Sequence, residues 1–295
     1  MSRSLFLDFN SIGEAFVSFA YIDRKYCTGI TRYYRSCNEF NITSPGYFQG
    51  ASCCDGKFLE DRTIVLAENT GRLRVIKVDE EYEKYVLDTV DSMRFRTIRE
   101  IAVWKNSLDV AVCLEERIMI FDVKAHVHSD YFEGHTEYIY SVDTFKEHQH
   151  CFVTCGADKK ALLWDKRDVS YSLVLYVHEF WALKSIAWNQ INDNQIACGT
   201  LAGEVYLLDK RKPESFVDVY HCPMTNIHRI SMNENSNQLA ICGDTEEVVV
   251  LDCTHNDLKN VYSNSEHESY VRGMKFRDNV LYTCAFTPQI YKHEL

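Results

Sequence analysis

The feature that most constrains this chain is a repeat of about 43 residues. Five apolar strings of similar composition each end in an acidic residue, at intervals of 43, 43, 44 and 43 residues. These acidic residues are Asp79, Asp122, Asp165, Asp209 and Asp252. One further step reaches Glu294 and one step back reaches Ser36, so the 295 residues hold seven copies. A fixed period of this length indicates an array of similar structural units.

A small residue recurs in phase with this series, each time at the end of an apolar stretch and just before a turn. The series consists of Ala20, Ala67, Cys113, Cys155, Cys198, Cys242 and Cys284. Because cysteine packs as a small hydrophobe, we expect these thiols to be buried packing residues. The other seven cysteines form no CxxC pair, so the sequence predicts neither a metal site nor a cofactor. The unpaired thiols indicate a reducing compartment. We therefore expect the protein in the cytoplasm, and also in the nucleus.

Each unit contains three or four short stretches rich in β-branched and aromatic residues, separated by turns. With only four prolines and no long helical period, this pattern predicts an all-β protein. Four strands in a unit of about 40–45 residues are typical of a propeller blade. We therefore predict one domain, residues 1–295, folded as a seven-bladed β-propeller. The last unit stops after its third strand, so we expect the N-terminal strand, SLFLDF, to supply the fourth and close the ring.

The fourth unit carries the most specific motif, Gly134-His135 followed by TCGADKKALLWD. It resembles the WD repeat, in which a His, a Ser or Thr, a turn Asp and a Trp form a hydrogen-bonded chain. The resemblance implies this structural role for His135, Thr154, Asp158 and Trp164. A buried indole and a buried imidazole both need hydrogen-bond partners, which agrees with that role. A catalytic reading, with Thr154 as nucleophile, is the weaker alternative. The chain has no phosphate-binding loop and no GxSxG motif, so the sequence predicts a protein that is not an enzyme.

Charge narrows the class of partner. The chain has 43 acidic and 32 basic side chains, a net charge of −11, which argues against nucleic acid and anionic membranes and favours basic proteins. Turns between the second and third strands of all blades fall on one face of a propeller. They carry Glu115, Glu116, Glu246 and Glu247, which predicts an acidic face for Arg-rich segments. A merely solvated rim is the alternative.

The first unit is longer than the others at one place. Sixteen residues separate Ala20 from Ser36, against 9 to 12 in the other units, and the extra length falls in IDRKYCTG. It presents Arg24, Lys25 and Tyr26. An enlarged turn with an Arg and an aromatic residue is typical of an interaction hot spot, and ordinary variation in loop length is the alternative.

The segments ALLWDKR, SIAWNQ, ACGTLAGEVYLLDKR and HESYVRGMKF resemble the Valois-like methylosome WD-repeat subunits, from Glu133 to the C-terminus. These propellers partner the type II protein arginine methyltransferase. The resemblance implies a non-catalytic adaptor that presents basic, Arg-rich substrates such as histone or Sm-like tails, with a Tudor-domain protein as a further partner. In that family an Arg and an aromatic residue of the first-blade turn contact the methyltransferase. Arg24 and Tyr26 match them, with Tyr in place of Trp.

A different class of function is also open. FVTCGADKKALLWDKR ends in WDxR, which resembles the box by which substrate receptors of cullin-RING ubiquitin ligases dock their adaptor. Many WD repeats place an Arg at this position. A generic WD-repeat scaffold is a third possibility.

Overall fold

The computed structural model describes residues 2–23, 26–40, 46–60, 62–78, 85–90, 97–105, 107–145, 147–148, 150–287 and 289–295. Its elements are 28 strands and one short 3-10 helix, Cys37–Glu39. The strands form seven antiparallel sheets that follow one another along the chain. This arrangement confirms the predicted all-β, seven-bladed propeller.

The first three blades contain strands β1 to β13. In blade 1 they are β1 (Ser2–Phe9), β2 (Ala15–Asp23), β3 (Tyr26–Tyr34) and β4 (Gly46–Ala51). In blade 2 they are β5 (Cys53–Glu60), β6 (Thr63–Glu68), β7 (Leu73–Val78) and β8 (Tyr85–Val90). Blade 3 has β9 (Ile98–Val103), β10 (Asp109–Leu114), β11 (Arg117–Asp122), β12 (Val127–His128) and β13 (Phe132–Glu133). Its outer strand is broken into two pieces, β12 and β13, which both pair with β11.

Blades 4 to 7 contain the remaining strands. In blade 4 they are β14 (Ile139–Thr144), β15 (Cys151–Gly156), β16 (Lys160–Asp165) and β17 (Ser172–Val177). In blade 5 they are β18 (Leu183–Trp188), β19 (Gln195–Thr200), β20 (Glu204–Asp209) and β21 (Asp218–His221). Blade 6 has β22 (Arg229–Met232), β23 (Gln238–Cys242), β24 (Val248–Asp252) and β25 (Lys259–Asn264). Blade 7 has β26 (Val271–Arg277), β27 (Val280–Ala285) and β28 (Ile290–Glu294).

The core lies between the blades. Seven apolar clusters each combine side chains from two neighbouring blades, and the seventh joins blade 7 to blade 1. Each sheet therefore buries both faces against its neighbours, as stacked repeats must to form a continuous core. The recurrent small residues lie in these clusters: Cys113, Cys155, Cys198, Cys242 and Cys284 are all buried.

The ring closes differently from the prediction. The N-terminal strand β1 pairs with β2 as the innermost strand of blade 1, and within the described residues the sheet of blade 7 has three strands. A tight turn folds β1 back on β2, since Glu14 N donates to Asn10 Oδ1 (2.8 Å) and Gly13 takes a φ of +92°. Pairing with the next strand across a short turn prevails over pairing with the distant β28. The N-terminal strand still lies at the closure, because Leu7 packs against Tyr282 and Cys284.

Candidate functional site

The predicted hydrogen-bonded chain is present in blade 4. The indole Nε1 of Trp164 donates to Thr154 Oγ1 (2.8 Å), which lies 2.8 Å from His135 Nε2. The other imidazole nitrogen, Nδ1, lies 2.9 Å from both carboxylate oxygens of Asp158. An ionised carboxylate only accepts hydrogen bonds, so Nδ1 carries the imidazole proton and Thr154 donates to Nε2.

Asp158 connects this chain to the backbone of the turn. Its oxygens also accept from the backbone N–H groups of Thr136 and Lys160, both at 3.2 Å. Burial tends to raise the pKa of Asp158, but hydrogen bonds from His135 and from the backbone hold that pKa below its usual value. Thr154 is fully buried, so its hydroxyl cannot reach a substrate. The geometry favours a structural role over catalysis.

Blade 7 holds a second chain that sequence reasoning missed. Thr283 Oγ1 lies between two imidazoles, 2.7 Å from His267 Nε2 and 2.8 Å from His293 Nε2. Tyr262 of the neighbouring blade places its hydroxyl 3.0 Å from His293 Nδ1. Burial lowers the pKa of His267 to about 4, with His293 adding to the effect, and burial also lowers the pKa of His293. The register of the repeat was the sequence signal that could have revealed this chain. Thr283 follows Thr154 by 129 residues, and His293 follows Trp164 by the same number.

A series of polar contacts around the central channel joins the inner strands of blades 1 to 6 in order. In each contact a side chain of one inner strand accepts from a backbone N–H of the following one. The pairs are Asp8 with Phe58 (2.9 Å), Asp55 with Ile101 (3.2 Å), Glu100 with Val142 (3.0 Å), Ser141 with Ile186 (3.1 Å) and Ser185 with Ile230 (2.8 Å). These contacts satisfy inner-strand donors that no sheet partner reaches.

The channel opens on one face as a cavity of about 980 Å3 with a charged lining. Asp55 lies 3.0 Å from Lys57 Nζ and 3.3 Å from Arg229 Nη2, while Lys275 lies 3.4 Å from Asp8. Burial tends to raise the pKa of Asp55, but Lys57 and Arg229 outweigh it and lower that pKa. Burial raises the pKa of Glu100. The channel charges are therefore largely committed to one another.

The predicted partner-binding turn lies partly outside the described residues. Arg24 and Lys25 lie outside the described residues, and of Tyr26 only the backbone is described. The backbone on either side shows where the extra length of blade 1 resides: β2 and β3 pair from Ala20↔Gly29 as far as Asp23↔Tyr26. In blade 4 the corresponding hairpin ends at Cys155↔Ala161. The extra residues thus extend a regular hairpin by three pairs beyond the small-residue position.

The four predicted acidic residues lie on the expected face, in blades 3 and 6. Glu115 adopts a φ of +55° in the turn between β10 and β11, and its carbonyl accepts from the backbone N–H of Ile139 (2.7 Å), the first residue of β14. Glu116 lies 3.7 Å from Arg117 Nε. Glu246 is exposed and Glu247 is half-buried in the turn between β23 and β24. The structure does not bring the two pairs together, since they belong to blades that are not neighbours.

Other site chemistries find little support. Within the described part of the chain, no group of three His, Cys, Asp or Glu side chains is placed to hold a metal ion. The cysteines that the structure describes are all free thiols. Burial raises the pKa of Cys198 and Cys242, to about 12 for Cys242. None of the described helical residues forms a segment long and apolar enough to cross a membrane.

No protein-family model matches the chain. Among curated proteins, methylosome protein WDR77 of Xenopus laevis is 20% identical over 240 residues, covering 79% of this chain and 70% of that protein. The chain is a WD-repeat propeller similar to this methylosome subunit.

Solved structures agree on the WD-repeat fold. A chain of the mitotic checkpoint complex superposes with a TM-score of 0.79 at 12% identity, covering 99% of this propeller and 86% of that chain. The structure of U3-55K gives 0.78 at 13% identity, with 96% and 88% covered. The RRP9 WD40 repeats give 0.78 at 13% identity, with 96% and 87% covered. At these identities the likeness concerns the fold alone, whereas the similarity to WDR77 supports a scaffold or adaptor role.

Proposed function

We propose that this propeller is a non-catalytic adaptor that binds a type II protein arginine methyltransferase and presents basic, Arg-rich substrates to it. The similarity to methylosome protein WDR77 over 79% of the chain carries the proposal. The buried His135–Thr154 chain in blade 4 agrees with it, since its hydroxyl is held inside the blade. In this proposal the propeller acts by binding other proteins and not by catalysis.

The extended β2–β3 hairpin is the proposed docking element for the enzyme. Its strand pairing continues three residue pairs past the small-residue position, against none or one in the other blades. In the sequence Arg24, Lys25 and Tyr26 directly follow Asp23. Arg and the aromatic residues are the residue types that dominate binding energy in interfaces. Glu115, Glu116, Glu246 and Glu247 on the same face would hold basic substrate tails close to the enzyme, and raise their local concentration.

Co-purification with the methyltransferase, followed by methylation of an Arg-Gly-rich peptide, tests this proposal. We expect Arg24→Ala with Tyr26→Ala to weaken the complex by roughly 2–4 kcal/mol, as central interface anchors do, without lowering the Tm. We expect the wild-type propeller to lower the apparent KM for the peptide. The matched control is Arg167→Ala with Tyr171→Ala, an Arg and an aromatic residue on the opposite face with 66% exposed and 58% exposed side chains. A wild-type propeller that neither binds the enzyme nor changes its kinetics would overturn the proposal.

Charge reversal of Glu246 and Glu247 tests substrate capture separately. We expect assembly with the enzyme to persist while the apparent KM for the basic peptide rises, most clearly at low salt. The proposal also places the protein in the cytoplasm and nucleus, with a Tudor-domain protein as a further partner and no direct contact with nucleic acid.

One observation favours a second candidate, a substrate receptor of a cullin-RING ubiquitin ligase. Arg167 of the WDKR box is held by Asp165 through Nε (2.9 Å) and remains 66% exposed. Arg211 and Asp209 repeat this arrangement in the next blade, also with a 66% exposed Arg. Loss of a co-purifying ligase adaptor in the Arg167→Ala control variant would favour this reading over the methyltransferase.

A further inference from the structure

The face that carries the acidic turns has a basic centre. The rim of the channel on this face is formed by residues around the start of successive inner strands, from the position just before the strand to its second residue. From blade 3 to blade 7 one in-phase position is occupied by Arg99, Tyr140, Lys184, His228 and Arg272, at intervals of 41, 44, 44 and 44 residues. We call these five residues the basic mouth.

Each cation of the mouth lies beside an aromatic ring. Lys184 Nζ is 3.6 Å from the ring centroid of Tyr140. The guanidinium of Arg99 is 5.8 Å from the ring of Tyr138, and that of Arg272 is 5.0 Å from the ring of Phe286. Such contacts hold a positive charge without neutralising it.

Few carboxylates lie close enough to the cations of the basic mouth to neutralise them. Asp244 is 2.5 Å from His228 Nε2 and 3.6 Å from Arg272 Nη2, and it also accepts from Asn226 Nδ2 (2.8 Å). Among the described residues no carboxylate lies within 4 Å of Lys184 Nζ or of the Arg99 guanidinium. Burial lowers the pKa of Lys184, and the nearby Arg99 and Arg272 lower it further. The fold therefore gathers positive charges that repel one another.

Exposed apolar side chains surround the mouth. Tyr138 and Tyr270 each precede a mouth residue by two positions and are 47% and 41% exposed. Trp181, 46% exposed, lies in the link just before β18, and Leu201 is 40% exposed and bonded through its N–H to Ala182 O (3.0 Å). Aromatic and cationic groups side by side at an open channel rim are typical of a binding centre rather than of a solvated surface.

We propose that the basic mouth binds an acidic segment of a partner protein that carries an aromatic or large apolar residue among its carboxylates. Three cations would receive the carboxylates as charge-assisted hydrogen bonds, and the exposed rings would receive the apolar side chain. The carboxylates farther out on the face would repel the same segment, which confines it to the centre. Basic substrate tails are excluded from the mouth by like charge. This inference does not depend on the methyltransferase proposal.

Fluorescence anisotropy with a labelled peptide of Asp and Glu around a central Phe tests this inference at low salt. We expect saturable binding by the wild-type protein that weakens as salt is added. Lys184→Gln and Arg272→Gln should each weaken binding roughly tenfold, the effect of losing one charge-assisted contact. The matched control is Lys210→Gln, because Lys210 also lies over an aromatic ring, the indole of Trp188 at 5.5 Å, but pairs with Asp193 (2.7 Å) on the opposite face. This control should bind the peptide as the wild type does.

Two further measurements distinguish a specific binding site from unspecific electrostatic attraction. Lys184→Gln should leave the Tm unchanged or higher, because the substitution relieves repulsion among the cations, so its binding defect cannot come from unfolding. A peptide with Asn and Gln in place of the acids should not bind. Absence of binding by the wild type, equal binding by Lys184→Gln, or displacement by inorganic phosphate at matched ionic strength would each overturn the inference; the last would show a simple anion site.

Discussion

Blades 4 and 7 solve the same structural problem with different chemistry. In both blades, two ring nitrogens lie within hydrogen-bond distance of a buried Thr hydroxyl. They belong to His135 and Trp164 in blade 4 and to His267 and His293 in blade 7. Trp164 can only donate and Asp158 can only accept, so the direction of every hydrogen bond in blade 4 is fixed. In blade 7 the position of Asp158 is taken by Thr287. The chain of blade 7 therefore depends on imidazoles that stay neutral, which makes it the acid-sensitive one.

The largest effect should come from Trp164, whose side chain is 1% exposed between blades 3 and 4. Trp164→Ala removes a buried indole and should lower the free energy of unfolding by about 3–5 kcal/mol. His293→Ala, the same position of blade 7, should destabilise less because a smaller ring is removed. Thermal and urea melts measure both, and a wild-type melt for Trp164→Ala would contradict the role assigned to the blade 4 chain.

A smaller effect is expected for His135, which contributes hydrogen bonds more than packing. His135→Ala leaves Thr154 and Asp158 without their partner and should destabilise by about 1–3 kcal/mol. His135→Asn, which restores part of the hydrogen bonding, should recover some of this loss. Equal melting of all three proteins would show that the chain is not a stabilising unit.

Acid should distinguish the two blades. The folded-state pKa of His267 is about 4, below the usual 6.5, so the folded protein binds a proton there less readily than the unfolded chain. The contribution of neutral His267 to the free energy of unfolding is fully present above pH 6.5. It is lost as the pH falls, and the loss at pH 5 is about 2 kcal/mol. Urea melts at pH 7 and pH 5 measure the loss, which His267→Gln should reduce. The same pH dependence in wild type and variant would place the titrating group elsewhere.

The smallest effect is expected where the two blades are alike. Cys155 and Cys284 occupy the same buried position, and burial raises the pKa of Cys284 to about 12. Inert packing thiols should give the same Tm with and without reductant, and elemental analysis should find no stoichiometric zinc. One zinc per chain would refute the packing interpretation.

Residues that repeat in phase could be predicted from the sequence, because a blade imposes the same environment at the same position. The period, the strand order within a blade and the buried Cys series follow from this rule. The chain of blade 4 was accessible because its residue types match a known repeat. That of blade 7 was not, since His293 replaces the Trp by which the repeat is recognised.

Features that depend on neighbouring blades were harder to predict. The contact of Asp55 with Ile101 N joins residues 46 apart whose approach is set by the curvature of the ring, which periodicity alone does not give. The basic mouth lies at one position of the repeat, but the approach of Arg99, Lys184 and Arg272 to one another is set by the closed ring. The prediction for the N-terminal strand was wrong because it considered which edge was open and not which partner was near.

Closure through blade 1 has a consequence for how the protein is made. The inner strand β1 lies against β26, and Lys275 reaches Asp8 across nearly the whole length of the chain. While the ribosome is still producing the later blades, one side of the first blade, including Leu7, Val17 and Phe19, has nothing to cover it. Contacts between such distant segments form slowly. We therefore expect nascent and truncated chains to aggregate through this uncovered side, and chaperones to bind it until Tyr282 and Cys284 arrive.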